Sequence, residues 1–485
     1  MNSRNPRSRA PNLRLRRVLT EARWTGQQLA NAINEVGSEN GVATHFDRTS
    51  VAHWLAGTRP RPPTPDLLVE ALARRLGRPL TRADCGLADP AEPSADRGHP
   101  SGGAVAHSFA DLLTELRVLT TAQTASGPTP PGRPVGGQGA GIDGVAVGGV
   151  GPYRLDALAV PEFEQAVASV LQPVPHGPGR ITVGSADVYG AREMARVFAA
   201  ADDVFGGGVV RRTLACYLSS CLAPRLHGVA SPGLRSSLLT AATQLAYLCG
   251  FMCFDDQEHG LAERYYLAAL RLAAYNADPT AYAITLRGMS VQARSLGHHT
   301  QALQLAESAV ATTTKHSPVR RAFLYGQLAV AHAAHGDRTR ALTHLTAAER
   351  HLDRATSQHI GSPPGADAII GGYHPAALFH QQAAVRALLG DSGAIDALRD
   401  SIRHRPPHER RSRTVLLARL AELQLAHGHL EQAVATWHQF LDGLPGLACG
   451  RVSTAMATMR SRLRPHANAI AARPLLRRAA AMTSP

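Results

Sequence analysis

Apolar residues recur at three- and four-residue intervals along most of the chain, so the sequence predicts an all-α protein. Leu15, Val18, Leu19 and Ala22 mark a first helix over Leu13–Arg23. Thr25 caps a second, Gly26–Val36, which turns Leu29, Ala30 and Ile33 inward. A loop over 37–46 leads to Asp47, whose carboxylate suits the N-cap of a third helix with Val51, Trp54 and Leu55 as its apolar stripe. Arg48, Thr49, Ser50 and His53 fall off that stripe, and none of them is a good core residue. Gly57 stops the helix, and Thr58–Pro62 leaves it as a stiff basic arm. Thr64 and Pro65 open a fourth helix, cored by Leu67, Leu68, Ala71, Leu72 and Leu76.

The pattern then breaks. Residues 88–152 are rich in Gly and Pro and cannot bury enough apolar area to offset chain entropy, which makes them a linker. Only Phe109–Leu119 within it keeps a helical period, as a short docking or dimer helix. Helical periodicity resumes after residue 153, with Asp187–Phe205 and Val209–Leu226 as an antiparallel pair around Gly206–Gly208. Gly250, Ala262, Tyr266 and Ala269 set a register that Ser290, Ala302, Ala306 and Ala309 repeat about 40 residues later. Ala329, Ala341, Leu345 and Ala348 follow, and Ala421, Ala433, Trp437 and Phe440 close the series. Small residues at such offsets let two helices approach, and the large ones fill the space between neighbours. The expected division is a basic arm over 1–12, a helical domain over 13–87, the linker, a repeat domain over 153–442 and basic capping helices over 443–485.

Charge sharpens this outline. The net charge is +14, carried almost wholly by arginine, since Lys315 is the only lysine. Residues 1–87 hold fourteen Arg against seven Asp and Glu, a net +7, which concentrates half of the excess at one end. A polyanionic partner is the natural reading of such a patch. The six cysteines form no CxxC pair, and Cys216, Cys221, Cys249 and Cys253 sit in helical patterns as expected buried thiols. No apolar run of spanning length and no signal-peptide segment stands out, so a cytoplasmic protein without a membrane partner is expected.

Catalytic motifs are not legible. There is no HExxH, no GxSxG and no phosphate-binding glycine fingerprint, so neither an enzyme nor a cofactor is expected. His332 and His335 lie three residues apart, but no carboxylate keeps their register for a metal.

Two stretches carry a resemblance. TGQQLANAI, RTSVAHWLAG and PDLLVEALARRLG together resemble the xenobiotic-response-element-type helix-turn-helix domain of lambda-repressor-like regulators. The sequence departs from that pattern at Gly26 and Leu55, and its loop before Asp47 is longer. The repeat offsets resemble the tetratricopeptide repeat, and LAYLCGFMCFDDQEHGLAERYYLAALRLA is similar to the repeat region of large helix-turn-helix regulators from GC-rich bacteria. The first resemblance implies base-edge or groove contacts from Arg48, Thr49, Ser50 and His53. Gln27, Gln28, Arg59 and Arg61 would position the DNA backbone, with Arg14 and Arg16 as further phosphate contacts.

The second implies an α-solenoid whose first helices line a groove. Its offsets select Tyr247, Phe251, Phe254 and Asp255, then Arg287, Val291 and Arg294, and later Phe323 and His380. Arg287 and Arg294 are two turns apart and would hold a carboxylate-bearing peptide or small acid above Tyr247 and Phe251. Together the resemblances imply a dimeric regulator of transcription that binds an operator in double-stranded DNA, controlling secondary metabolism or development. The competing reading is a repeat scaffold for protein partners whose N-terminal domain reads no DNA.

Overall fold

The structure is a computed structural model, and it describes residues 10–88, 108–125, 151–170, 181–312, 317–358 and 373–482. The basic arm before residue 10 and most of the Gly/Pro linker lie outside these. The chain divides into two compact units. The first contains residues 10–88 and 151–160, together with Glu258–Gly260; the second contains 108–125 and the remainder from Pro161 onward. Among the described residues every regular element is a helix, apart from one isolated bridge between Thr182 and Val229.

In the first unit, α1 (Leu13–Glu21), α2 (Gly26–Glu39), α3 (Arg48–Leu55) and α4 (Thr64–Leu76) enclose one core. Leu15, Leu29, Ile33, Val51, Leu68 and Leu72 are fully buried in it, and Trp54 is nearly so. Phe46 meets Trp54 edge-on at 5.1 Å. Asn34 fixes the loop before α3 by bonding both the amide and the carbonyl of Phe46, at 2.9 Å each. Glu39 and Glu70 both pair with Arg74 at 2.7 Å. Residues past 150 return to this unit: Asn40 accepts from the Tyr153 amide, and Glu70 from that of Leu155. Tyr153–Val160 thus counts with the first unit, and the second resumes at Pro161.

The second unit begins with α5 (Phe109–Ala125), longer than the Phe109–Leu119 expected. It packs on α8 (Gly207–Cys216) and the π-helical stretch Tyr217–Leu222. Phe109 meets Tyr275 at 4.9 Å, Thr120 donates to the Ala215 carbonyl, and Glu115 bridges Arg264 and Arg271. The isolated period thus belongs to a helix packed within the second unit. After α6 (Phe163–Ser169) comes α7 (Ser185–Phe205), and α9 (Ala223–Leu226) continues the π-helical stretch.

Helix pairs follow: α10 (Pro232–Asp255) with α11 (His259–Tyr275), whose Tyr266 meets Tyr247, α12 (Pro279–Ser295) with α13 (His299–Ala311), and α14 (Pro318–His335) with α15 (Arg338–Gln358). Then come α16 (Pro375–Leu388) with α17 (Ala394–Arg403), α18 (Arg410–Ala426) with α19 (Leu430–Asp442), and finally α20 (Gly450–Leu463) and α21 (Ala472–Ala481). Successive helix pairs are the packing expected of a solenoid. The periodic small residues act at the crossings: a Cβ on Gly250 would come within 2.9 Å of the Tyr266 ring. At the equivalent Ser290 the hydroxyl donates to the Ala302 carbonyl at 2.7 Å. Helix α10 is long and apolar enough to cross a membrane by composition alone, with mean hydropathy 1.4 over its best window. Most of that window is buried by the neighbouring helices, so it serves as a core helix.

The array also returns on itself. Helix α18 packs against α7, and the Ala448 amide donates to the Phe205 carbonyl at 2.8 Å. Gly206 makes this contact possible: its φ is +81°, and a Cβ there would sit 2.4 Å from the Ala448 oxygen. Two thiols depart from expectation. Leu214, Ala215, Leu218, Ser219, Leu222 and Ala223 form the inward stripe, which leaves Cys216 and Cys221 exposed, while Cys249 and Cys253 are buried.

Candidate functional site

In the first unit the third helix is built to leave one face bare. Asp47 takes the N-cap, its Oδ1 accepting from the Ser50 amide at 2.9 Å, and these bonds hold the Asp47 carboxyl below its usual range. Val51 and Trp54 turn into the core. Arg48, Thr49, Ala52, His53 and Ala56 are exposed, and Ser50 is half-buried against its own cap. The outer face therefore carries one long cation, two small hydrogen-bonding groups, an imidazole and two methyl groups. Such a face allows close approach to a flat or grooved surface and offers donors when it arrives.

The glutamines have structural duties as well. Gln28 completes a capping box with Thr25, accepting from its amide at 2.8 Å. Gln27 joins the helices, accepting from the Arg48 amide and donating to Asn31. Both remain exposed, so each keeps a free edge.

The arginines sort into two groups. Arg74, Arg78 and Arg82 are matched by Glu39, Glu70, Glu21 and Asp66. Arg14, Arg16, Arg48, Arg59 and Arg61 are exposed, with no carboxylate in ion-pair contact among the described residues. Arg14 donates to the Ala83 carbonyl and Arg59 to that of Ala88, while the Asn12 amide donates to Leu55. These bonds bring the start of α1, the end of α3 and the segment 83–88 together. Arg14, Arg59 and Arg61 thereby flank one end of α3 and Arg48 the other, about 12 Å apart along its eight residues.

In the second unit, Arg287, Val291 and Arg294 share one face of α12 and are each half-buried. The Arg287 guanidinium lies 3.9 Å from the centre of the Phe323 ring and approaches the Tyr247 hydroxyl. The Nε atoms of Arg287 and Arg294 are sealed from solvent without a hydrogen-bond partner. Burial disfavours the Arg294 charge, and then so do Arg287 and, from α18, Arg419. His380 on α16 is open to solvent yet enclosed by protein. That enclosure lowers its pKa, and Arg405, Arg294, Arg287 and Arg419 push the same way. Basic groups of α12, α16 and α18 are therefore close enough to disfavour one another's charge.

Two residues expected in this groove lie elsewhere. Asp255 is completely buried. It pairs with Arg411 and Arg451 and accepts from the Cys449 thiol, inside the contact where α18 and α20 meet α7 and α10. It is a structural counter-ion, unavailable to a ligand. Phe251 lies under Arg411, 4.9 Å from its guanidinium, so Phe323 and not Phe251 joins Tyr247 beneath Arg287. The partners of Asp255 come from 156 and 196 residues away, a separation that helical periodicity cannot reveal.

Fold and sites together define an all-helical protein in which a small basic unit precedes a self-closing array of helix pairs. Residues 15–88 match the family model described as the SP15 N-terminal domain, a match confined to the first unit. No curated protein and no solved structure matches the chain.

Proposed function

We propose that this protein is a DNA-binding regulator of transcription. In this reading α2 and α3 act as a helix-turn-helix of the lambda-repressor-like kind, and α3 enters the major groove. The observation that carries it is the bare outer face of α3, with Arg48, Thr49 and His53 exposed and Arg14, Arg59 and Arg61 exposed near its far end, none of these arginines meeting a carboxylate among the described residues. Arg48, Thr49, Ser50 and His53 then meet base edges. Gln27, Gln28, Arg14, Arg16, Arg59 and Arg61 contact phosphates. The helix pairs are read as tetratricopeptide-like, sensing a small acid or partner and holding a homodimer. Dimerisation follows from arithmetic: one short helix makes few base contacts, and two half-sites add affinity and specificity. The longer connection over residues 40–47 is what favours the alternative, a protein-binding scaffold without base readout.

A salt-titrated gel shift of the full chain on its own upstream DNA separates the two. Arg48→Ala should cost about 1–3 kcal/mol in discrimination and relax preference at one position. Arg59→Ala should weaken all sequences alike and reduce the salt slope by about one. Binding that is salt-sensitive but blind to sequence supports the scaffold.

A further inference from the structure

We infer that the inner face of α12 binds a small organic dianion, two oxyanion groups joined by an apolar spacer, one on Arg287 and one on Arg294. The inference rests on the sensing half of the proposed function and is independent of DNA recognition.

Arg287 and Arg294 differ from the other enclosed arginines of this unit. Arg405 has Glu409, Arg411 has Asp202 and Asp255, and Arg451 has Asp255. The Nε of each is shut away from water and unbonded, as is that of Arg405, Arg411 and Arg451, but Arg287 and Arg294 alone of these five meet no carboxylate among the described residues. Sealing part of a guanidinium from water without a counter-ion is costly, and at Arg294 the charges of Arg287 and Arg419 add to that cost. A core needs no such groups. An arriving oxyanion would supply the missing charge, and the planar guanidinium fork receives carboxylate or phosphate through two parallel bonds.

The spacing sets the ligand's form. Seven residues separate the two arginines, about 10 Å along the helix. Val291 lies between them on the same face, so the gap is apolar. Phe323 holds Arg287 from below and Tyr247 reaches it from the side, which fixes one anchor. His380 on α16 is exposed, and its imidazole feels the charges of both Arg294 and Arg287. A single compact ion such as phosphate satisfies one anchor only. A two-ended acid of matching length satisfies both and covers Val291 with its methylenes.

Calorimetry of the full-length protein, without DNA, tests this. The probes are the straight-chain dicarboxylates from succinate to suberate, the alkane bisphosphonates of the same lengths, butyrate and inorganic phosphate. The expected result is an affinity that peaks at one chain length, at least tenfold above butyrate and phosphate. It should fall at least tenfold in Arg287→Gln and in Arg294→Gln. A peak among dicarboxylates identifies carboxylates as the recognised groups, and a peak only among bisphosphonates identifies phosphate-like groups; either supports the site. No binding by any probe, equal binding of one-ended and two-ended acids, or unchanged affinity in both variants would overturn it. Should a variant fail to fold, the length profile of the wild-type protein decides. A negative result here leaves DNA binding standing, and a failed gel shift leaves this site standing.

Discussion

A buried charge is informative only together with what surrounds it. Asp255 sits at full burial between two arginines and a thiol, where it holds the ends of the helical array together. Asp255→Asn should remove the carboxylate that Arg451 pairs with, and one of those around Arg411, and cost about 3–5 kcal/mol in urea unfolding. Arg294→Met should behave in the opposite way. It removes a guanidinium whose charge the site disfavours, so without ligand the variant should unfold at the same temperature or above. A large loss of stability in Arg294→Met would mean that the residue is structural. Nothing local in the sequence separates Asp255 from Arg294, because both lie on helical faces rich in apolar residues. The distinction comes from which distant helix arrives opposite, and only the closed array supplies it.

At the scale of elements, local patterns were far more legible. The cap at Asp47, the inward Val51 and Trp54 and the outward Arg48 and Thr49 follow from spacing on one short helix, and the structure has each of them so. The offsets Gly250, Ala262 and Tyr266 were readable because a helix crossing needs a gap of fixed size. Helix ends were less so, since α2 runs on to Glu39 and α5 to Ala125 with no residue that stops them earlier. Contacts between α14 and α15 carry a pH dependence of their own. His332 stacks on His344 at 5.1 Å, and Tyr325 stacks on His344 and on His351.

Burial holds His332 and His344 below the usual 6.5; Arg340 and the neighbouring imidazoles add to this, against Glu307 and Asp337. The unfolded chain therefore takes up protons below about pH 6.5 that the folded chain resists, and stability falls as the solution is acidified. Asp203 works the other way: burial, over the opposing pull of Arg411, pushes it up to about 6, so its protonation on acidification favours the folded state. The informative comparison is between variants. From pH 7.5 to 5.5, His344→Phe should lose less stability in urea than wild type does. An equal loss would remove the stack from the explanation.

For the whole molecule, what matters is that charge is unevenly placed in each unit. The first unit pairs Arg74, Arg78 and Arg82 with acids and leaves Arg14, Arg16, Arg48, Arg59 and Arg61 exposed with no carboxylate in ion-pair contact among the described residues, which is the distribution a polyanion would select. The second unit holds two half-buried arginines on one face of α12 that meet no carboxylate among the described residues, a place where a small acid fits better than a duplex. A dimer of the chain should protect two half-sites about 10 base pairs apart, or a multiple of that, in a footprint on its operator. Selection from a random duplex library by the full-length protein tests the central claim most directly. Wild type should enrich a short motif, and Arg48→Ala should lose preference at one base pair of each half-site while keeping overall affinity at low salt. Enrichment of no motif, or of the same motif with equal stringency by Arg48→Ala, would contradict the assignment of α3 as the reading helix.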